Sequence, residues 1–138
     1  MNSLIEDAEN KGADILSGGV ADSVIMAATV VDKVTADMNL YRDESFGPVV
    51  AMIRAKDEAE AIRLANDSEY GLSASVFTQD AARGLSVARQ IKSGICHVNG
   101  PTVHDEPQMP FGGVGASGYG RFGGRAGIDA FTELRWIT

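Results

Sequence analysis

Cysteine and long apolar runs are scarce in this sequence. A single cysteine among 138 residues rules out an internal disulfide, and the lone thiol fits a reducing compartment. No apolar stretch approaches the roughly 20 residues that a membrane-spanning helix needs. The N-terminus also lacks the basic start and apolar run of a signal peptide. We therefore expect a cytoplasmic chain that makes no membrane contact.

Positive charge is scarce as well. Lys and Arg number 12 against 19 Asp and Glu, and the net charge is −7. Phosphate binding requires a positive field, so we expect no nucleic-acid partner. His104 could act as an acid or a base, but no cluster of ligand-type residues surrounds it in the sequence. No metal site is therefore expected.

What the sequence does contain is an alternation of strand and helix patterns. Apolar runs at 49–53, 73–78 and 95–99 predict strands, and helices are predicted to begin after Asp57 and Asp80. Helical crossovers of this length imply parallel strands. We expect one α/β domain over residues 1–138, with a parallel-strand βαβαβ core and flanking helices.

Outside this core the predictions are more local. A helix is expected to end near Gly12, and the segments 13–16 and 24–34 are expected to be extended. Seven glycines lie between Gly112 and Gly124 and predict a long, specifically shaped loop. A short helix at 126–131 and a terminal strand at about 132–138 are expected to follow. An unpaired terminal strand is prone to association.

The glycine loop matches the spacing G-x-G-x-x-G, which is typical of dinucleotide-binding sites. That motif requires a strand directly before it, whereas Pro107 and Pro110 precede it here. Tight turns explain these glycines better. The adjacent Cys96 and His97 lie in a predicted strand, where neighbouring side chains point to opposite faces, so they are not expected to form a catalytic pair.

The run at 44–49, Glu-Ser-Phe-Gly-Pro-Val, carries the clearest chemical signal. It places a carboxylate and an aromatic ring at the mouth of an apolar strand. The Glu44 carboxylate could accept hydrogen bonds from two hydroxyl groups, and the Phe46 ring could cover a flat heterocycle. A ribose with its attached base offers both features. A surface acid before a turn explains the run equally well.

Together, several segments of the chain resemble the C-terminal part of the aldehyde dehydrogenase superfamily. The resemblance runs from about Leu4 to Thr138, with the motifs in the same order and spacing. The segments that carry it are 44–49, 70–74 (Tyr-Gly-Leu-Ser-Ala), 94–99 (Gly-Ile-Cys-His-Val-Asn), 110–113 (Pro-Phe-Gly-Gly), 117–121 (Ser-Gly-Tyr-Gly-Arg) and 131–134 (Phe-Thr-Glu-Leu).

This resemblance implies roles for individual residues. The cofactor would be NAD or NADP, with Glu44 holding the nicotinamide ribose and Phe46 packing beside the nicotinamide. Phe111 would line the substrate tunnel. The substrate-shaping stretch before it falls on Val103, His104 and Asp105. The terminal strand would join an oligomerisation sheet between copies of the chain.

The resemblance also has limits. Gly115 stands where many relatives carry Lys, and Asp43 replaces one acid of a usual Glu-Glu pair. The residue sequence of the glycine loop resembles that of the family branch that acts on aromatic aldehydes such as vanillin or salicylaldehyde. No counterpart of the family's nucleophilic Cys, general-base Glu or nucleotide-binding sheet is recognised in this chain. We therefore expect a C-terminal fragment of such an enzyme, inactive by itself and with no catalytic residue of its own.

Two other hypotheses remain open at this point. A truncated interaction module would fold and associate without doing chemistry. A free-standing flavodoxin-like domain would explain the strand–helix alternation alone and would bind a mononucleotide at the strand ends.

Overall fold

The structure is a computed structural model that describes all of residues 1–138. Its backbone divides into two compact units, Met1–Asp57 and Glu58–Thr138. We call them the N-terminal unit and the C-terminal unit. The expectation of a single domain over 1–138 stays a prediction.

The N-terminal unit is built on a three-stranded sheet. Its elements are α1 (Asn2–Asn10), β1 (Asp14–Ser17), β2 (Thr29–Asp32), α2 (Asn39–Arg42) and β3 (Val49–Ala51). The central strand β2 pairs antiparallel with β1 and parallel with β3. The predicted extended segment at 24–34 is therefore a strand only over Thr29–Asp32, because the residues before Thr29 have no strand beside them.

The core of the chain lies in this unit. Helix α1 contributes Ile5 and Ala8, which are spaced so that both face inward, and β2 contributes the fully buried Val31. The other buried apolar side chains are Ala13, Val34, Met38 and Leu40.

One acid is buried at the edge of this core. Asp32 is 4% exposed, and its carboxylate accepts hydrogen bonds from the Arg54 guanidinium and, at 2.8 Å, from the backbone N–H of Lys33. The hydrogen bond from Arg54, and then the one from Lys33, lower the pKa of Asp32 below its usual 3.8. The buried charge is thus compensated.

The C-terminal unit contains shorter sheets. Its elements are α3 (Glu58–Ala65), β4 (Tyr70–Gly71), β5 (Ser73–Val76), α4 (Ala81–Ala88), β6 (Ile95–Val98), β7 (Val114–Gly115) and α5 (Gly124–Ala130). Strands β5 and β6 are parallel and β4 pairs antiparallel with β7. The predicted cap of α4 is confirmed, since the Asp80 carboxylate accepts a hydrogen bond from the Arg83 backbone N–H at 3.0 Å.

The α/β class is confirmed, but the continuous βαβαβ core is not formed in this chain. Strand β3 pairs with β2, whereas β5 pairs only with β6. The strand–helix alternation predicts that the strands are parallel, but it does not determine which strand pairs with which. Here the backbone of β3 and of the residue after it forms hydrogen bonds with β2. The Met52 N–H, for example, donates to the Val31 carbonyl oxygen at 2.7 Å. Only the β5–α4–β6 half of the prediction is present.

The predicted terminal strand is also absent from this structure. Helix α5 ends at Ala130, and residues 132–138 form no strand and are exposed throughout. A strand exists only where its backbone groups have a hydrogen-bonding partner, and none lies beside this segment.

The helices of the structure are short. The longest, α1, has nine residues, and none could span a membrane.

Candidate substrate site

A cavity of about 440 Å³ opens in the C-terminal unit between the start of β6 and the loop that follows it. The strand contributes Ile95, Cys96 and His97. The loop contributes a mixed apolar and polar wall made of His104, Asp105, Glu106, Met109, Pro110 and Phe111. A cavity of this size lies within the range of small-molecule sites, roughly 300–1,000 Å³.

A smaller hollow of about 260 Å³ shares part of the same wall. It is lined by the four residues that the resemblance assigned to the substrate, namely Val103, His104, Asp105 and Phe111. The structure therefore brings these residues together, although they are up to eight positions apart in the chain. Their role in binding a substrate stays a prediction.

Two serines of β5 position the segment that begins this wall. Ser73 Oγ donates to the carbonyl oxygen of Thr102 at 2.9 Å, and Ser75 Oγ donates to that of Gly100. Asn99 turns the chain at the end of β6 in the left-handed region, with φ of +58°. These contacts hold the polypeptide against β5 directly before Val103.

Residues of the glycine loop hold Phe111 in place. Its backbone forms an antiparallel bridge with Phe122, with N–O distances of 2.8 and 2.9 Å, and the two rings lie 5.1 Å apart. Arg121 donates hydrogen bonds at 2.7 Å to the carbonyl oxygens of Gly113 and Gly120. The glycine loop therefore fixes the Phe111 ring.

The backbone of Gly94, at one edge of the cavity, lies very close to that of Gly112. A Cβ atom placed on Gly94 would lie 1.7 Å from the carbonyl oxygen of Gly112. Only glycine allows the start of β6 to lie so near the residue after Phe111. This contact explains why residue 94 is a glycine.

The single cysteine of the chain, Cys96, is one of the residues that line the cavity. Burial raises the pKa of Cys96, because the thiolate would lose its hydration in this environment. No hydrogen bond or ion pair of the structure joins Cys96 to His97. That Cys96 is not a nucleophile stays a prediction.

Acidic side chains line the loop side of the cavity. Glu106 accepts a hydrogen bond from the Gln108 side-chain amide and lies 3.5 Å from His104 Nε2. Asp105 lies beside this pair and lines both hollows. The polar wall is therefore net acidic in either protonation state of His104, because two carboxylates face one imidazole.

Sequence reasoning missed one polar group of the cavity. His97 Nε2 is buried and has no hydrogen-bond partner. Its ring meets the His104 ring edge-on, with centroids 5.7 Å apart and planes at 80°. Strand alternation alone gave no sign that this atom would be buried without a partner, because that depends on the loop opposite β6.

The predicted cofactor residues lie in the other unit. The Phe46 ring is 91% exposed and borders a hollow of about 560 Å³ together with Gly47, Pro48 and the first residues of α1. Glu44 is exposed, and its carboxylate makes no ion pair or hydrogen bond within the chain. An unpaired carboxylate next to an exposed ring fits the hydroxyls and flat base of a ribosylated heterocycle.

Comparison with known proteins identifies the family. The profile of the Aldehyde dehydrogenase family matches residues 1–137. A vanillin dehydrogenase of Pseudomonas fluorescens is 55% identical over 138 residues, which is all of this chain and 29% of that protein.

Solved structures agree. The crystal structure of a salicylaldehyde dehydrogenase from Pseudomonas putida G7 complexed with salicylaldehyde matches 99% of this chain and 28% of its own, with a TM-score of 0.95 and 53% identity. A Mycobacterium tuberculosis aldehyde dehydrogenase complexed with NAD+ matches 96% of this chain and 28% of its own, with a TM-score of 0.88 and 35% identity. The chain thus spans less than a third of the length of these relatives. It belongs to the aldehyde dehydrogenase family.

Proposed function

We propose that this chain forms the substrate wall and the nicotinamide–ribose contact of an NAD(P)-dependent enzyme that oxidises an aromatic aldehyde to a carboxylic acid. The observation that carries this proposal is the hollow in which Val103, His104, Asp105 and Phe111 converge. A flat ring fits against the Phe111 side chain, and the apolar atoms of Met109 and Pro110 extend the same surface in the larger cavity.

The relatives support the aromatic class. Proteins named vanillin dehydrogenase and salicylaldehyde dehydrogenase are more than 50% identical to this chain. Both names refer to benzaldehydes that carry a ring hydroxyl. The hypothesis of an interaction module without chemistry has no comparable support.

The cofactor contact is proposed for Glu44 and Phe46. When bound, the nicotinamide would accept the hydride that leaves the substrate carbon. Glu44 would accept hydrogen bonds from the ribose hydroxyls, which its unpaired carboxylate leaves it free to do. Phe46 would pack beside the nicotinamide ring with its exposed face.

The assay uses the natural full-length protein that carries this chain. Reduction of NAD+ or NADP+ is followed with vanillin, salicylaldehyde and benzaldehyde, with acetaldehyde for comparison. The Phe111→Ala variant is expected to lose roughly 10–100-fold in kcat/KM for the aromatic substrates, since it removes a packed ring. Phe77→Ala is the matched control, because that ring lies in the same unit and is 72% exposed.

Two results would contradict the proposal. One is a full-length protein that reduces neither cofactor with any aromatic aldehyde. The other is an equal loss in the Phe111 and Phe77 variants, which would mean that the effect does not arise in the cavity. The first result would also favour the interaction module.

Association between copies is proposed for the terminal segment 132–138. Leu134, Trp136 and Ile137 are 106%, 89% and 81% exposed, and an extended apolar segment can pair with the sheet edge of a second copy. Sedimentation of the chain and of a Trp136→Asp variant tests this. A chain that sediments as a monomer at all concentrations would exclude it.

A further inference from the structure

Residues 100–105, which we call the wall segment, include most of the predicted substrate residues and belong to no helix or strand. Their backbone N–H groups donate no hydrogen bond to another residue of the chain. Two of their carbonyl oxygens, those of Gly100 and Thr102, accept one hydrogen bond each, and both donors are serine hydroxyls of β5. The next backbone hydrogen bond along the chain joins the Met109 N–H to the Glu106 carbonyl oxygen at 2.9 Å. The two hydroxyls are thus the only hydrogen-bonding ties between the backbone of the wall segment and the sheet.

The two serines hold the wall segment in a defined direction. Ser73 and Ser75 are two residues apart on β5, so their side chains lie on the same face of the strand. Gly100 and Thr102 are also two residues apart, and the later of them is bonded to the earlier serine. The wall segment therefore runs antiparallel to β5 across one face of the sheet. Pro101, between the two bonded carbonyls, has no N–H with which to form a further tie.

Only one of these serines also lines the smaller hollow. Ser73 and Leu72 line the 260 Å³ hollow from β5 and the residue before it, and Thr102 and Val103 line it from the wall segment. The 2.9 Å hydrogen bond from Ser73 Oγ to the Thr102 carbonyl oxygen therefore joins two sides of the hollow. It is also the last hydrogen bond to the backbone before residues 103–105, which have none. Losing the hydroxyl would release this side of the hollow next to Val103.

We propose that Ser73 is a positioning residue through which the enzyme favours aromatic over small aliphatic aldehydes. Its bond to Thr102 holds the wall segment at a fixed distance from β5, so that the hollow keeps the width of a flat ring. This inference rests on the proposed function and deepens it. Ser73 acts through the wall segment and requires no contact with the substrate. A small aldehyde such as acetaldehyde does not fill the hollow, so its oxidation should not depend on Ser73.

The kinetic test removes the hydroxyl in the natural full-length protein. In Ser73→Ala, the ratio of kcat/KM for salicylaldehyde to kcat/KM for acetaldehyde is expected to fall about three- to tenfold, the usual effect of one lost hydrogen bond. The change should lie mainly in KM for salicylaldehyde, because the proposed role concerns binding of the ring. Ser68→Ala is the matched control. Its hydroxyl also bonds to the backbone, accepting from the Tyr70 N–H at 3.2 Å, and it does not line the hollow, so the ratio should stay unchanged.

A conservative variant provides the rescue. Ser73→Thr retains a hydroxyl on Cβ, and a β-branched side chain suits a strand, so this variant should restore most of the ratio. A purely structural role would instead lower kcat/KM for acetaldehyde and for salicylaldehyde alike in Ser73→Ala. That result, or an unchanged ratio in Ser73→Ala, would overturn the proposal.

A second measurement requires no turnover. Nuclear magnetic relaxation of the backbone nitrogens in the 138-residue chain reports motion on the picosecond-to-nanosecond timescale. The order parameters of residues 103–105 should fall in Ser73→Ala, because the stretch loses its nearest tie to the sheet. They should stay at the parent values in Ser68→Ala and in Ser73→Thr. Equal order parameters in the parent chain and in Ser73→Ala would show that the hydroxyl does not hold the wall segment.

The two tests separate the two proposals. If the full-length protein oxidises no aromatic aldehyde, the proposed function is wrong, and the relaxation measurement still decides whether Ser73 fixes the wall segment. If the protein oxidises aromatic aldehydes but Ser73→Ala changes neither the ratio nor the order parameters, the proposed function stands and the role of Ser73 is wrong.

Discussion

The two units of the chain differ in where they bury their apolar side chains. All the buried hydrophobic residues lie in the N-terminal unit, on α1, on β2 and in the turns around them. In the C-terminal unit the only buried residues are Gly84 and Gly113, although its strands carry Ile95, Cys96 and Val98. The unit that holds the candidate substrate site thus has no closed core of its own.

The closed core and the candidate substrate site therefore lie in different units of the chain. A core with fully buried side chains, such as Ile5 and Val31, resists local opening, whereas half-exposed strands open at lower free energy. The cavity wall is held mainly by hydrogen bonds and close backbone contacts, such as those of Ser73, Arg121 and Gly94. Substitutions should therefore affect the two units in different ways.

The largest expected effect is truncation in the closed core. Ile5→Ala should lower the free energy of unfolding by roughly 2–5 kcal/mol, because it removes a side chain that is 1% exposed. Leu85→Ala in α4, where the side chain is 48% exposed, should cost about 1 kcal/mol or less. Denaturant unfolding of both variants measures the contrast. Equal losses would mean that the units do not differ in packing.

The next effect concerns the close backbone contact between Gly94 and Gly112. Gly94→Ala should destabilise the protein by about 1–3 kcal/mol, because the new Cβ would collide with the Gly112 carbonyl. Gly127→Ala in α5 is the matched control, since a Cβ there meets nothing within 4 Å. It should stabilise by roughly 0.5–1 kcal/mol through helix propensity. The order of the two melting temperatures tests the contact, and a neutral Gly94→Ala would contradict it.

A smaller and pH-dependent effect is expected at Asp32. Its folded-state pKa is lowered by Arg54 and by the Lys33 N–H, so the ionised form stabilises the N-terminal unit above the ordinary pKa of 3.8. This contribution should be lost as the pH falls through the lower folded-state value. Asp32→Asn should therefore melt below the parent protein at neutral pH.

The gap between the two melting curves should close on acidification. Melting temperatures of the parent and of Asp32→Asn, recorded from neutral pH downward, provide the test. A gap that stays constant to strongly acidic pH would show that the ion pair with Arg54 contributes nothing to the unit.

The smallest effect is expected at the thiol of the C-terminal unit. Because burial raises the pKa of Cys96, alkylation by iodoacetamide at neutral pH should be slower than for the unfolded chain. We expect no detectable turnover by the 138-residue chain with NAD+ and any aldehyde, and none by its Cys96→Ser variant. Turnover that disappears in Cys96→Ser would identify the thiol as a nucleophile and contradict this expectation.

Sequence reasoning located the elements but not all of their partners. The start of α4 after Asp80 and the parallel pair β5–β6 follow from local patterns. The substrate residues Val103 to Phe111 came from the family resemblance, and the structure added their convergence on one hollow. The assignment of β3 to one sheet with β5 and β6 was wrong, and residues 132–138 form no strand within the single chain, where they have no partner. Strand pairing depends on which edge is free in space, and periodicity along the chain does not encode that.

By itself, the sequence determined the family and the α/β class, because ordered motifs with fixed spacing preserve local chemistry. The substrate and cofactor roles that the family resemblance implies stay predictions. Only the tertiary structure decided which unit has a closed core, how near Gly94 lies to Gly112, and that His97 Nε2 is left without a partner. These features arise where segments distant in the chain approach each other, and the free energy of a buried polar atom depends on what those segments place around it.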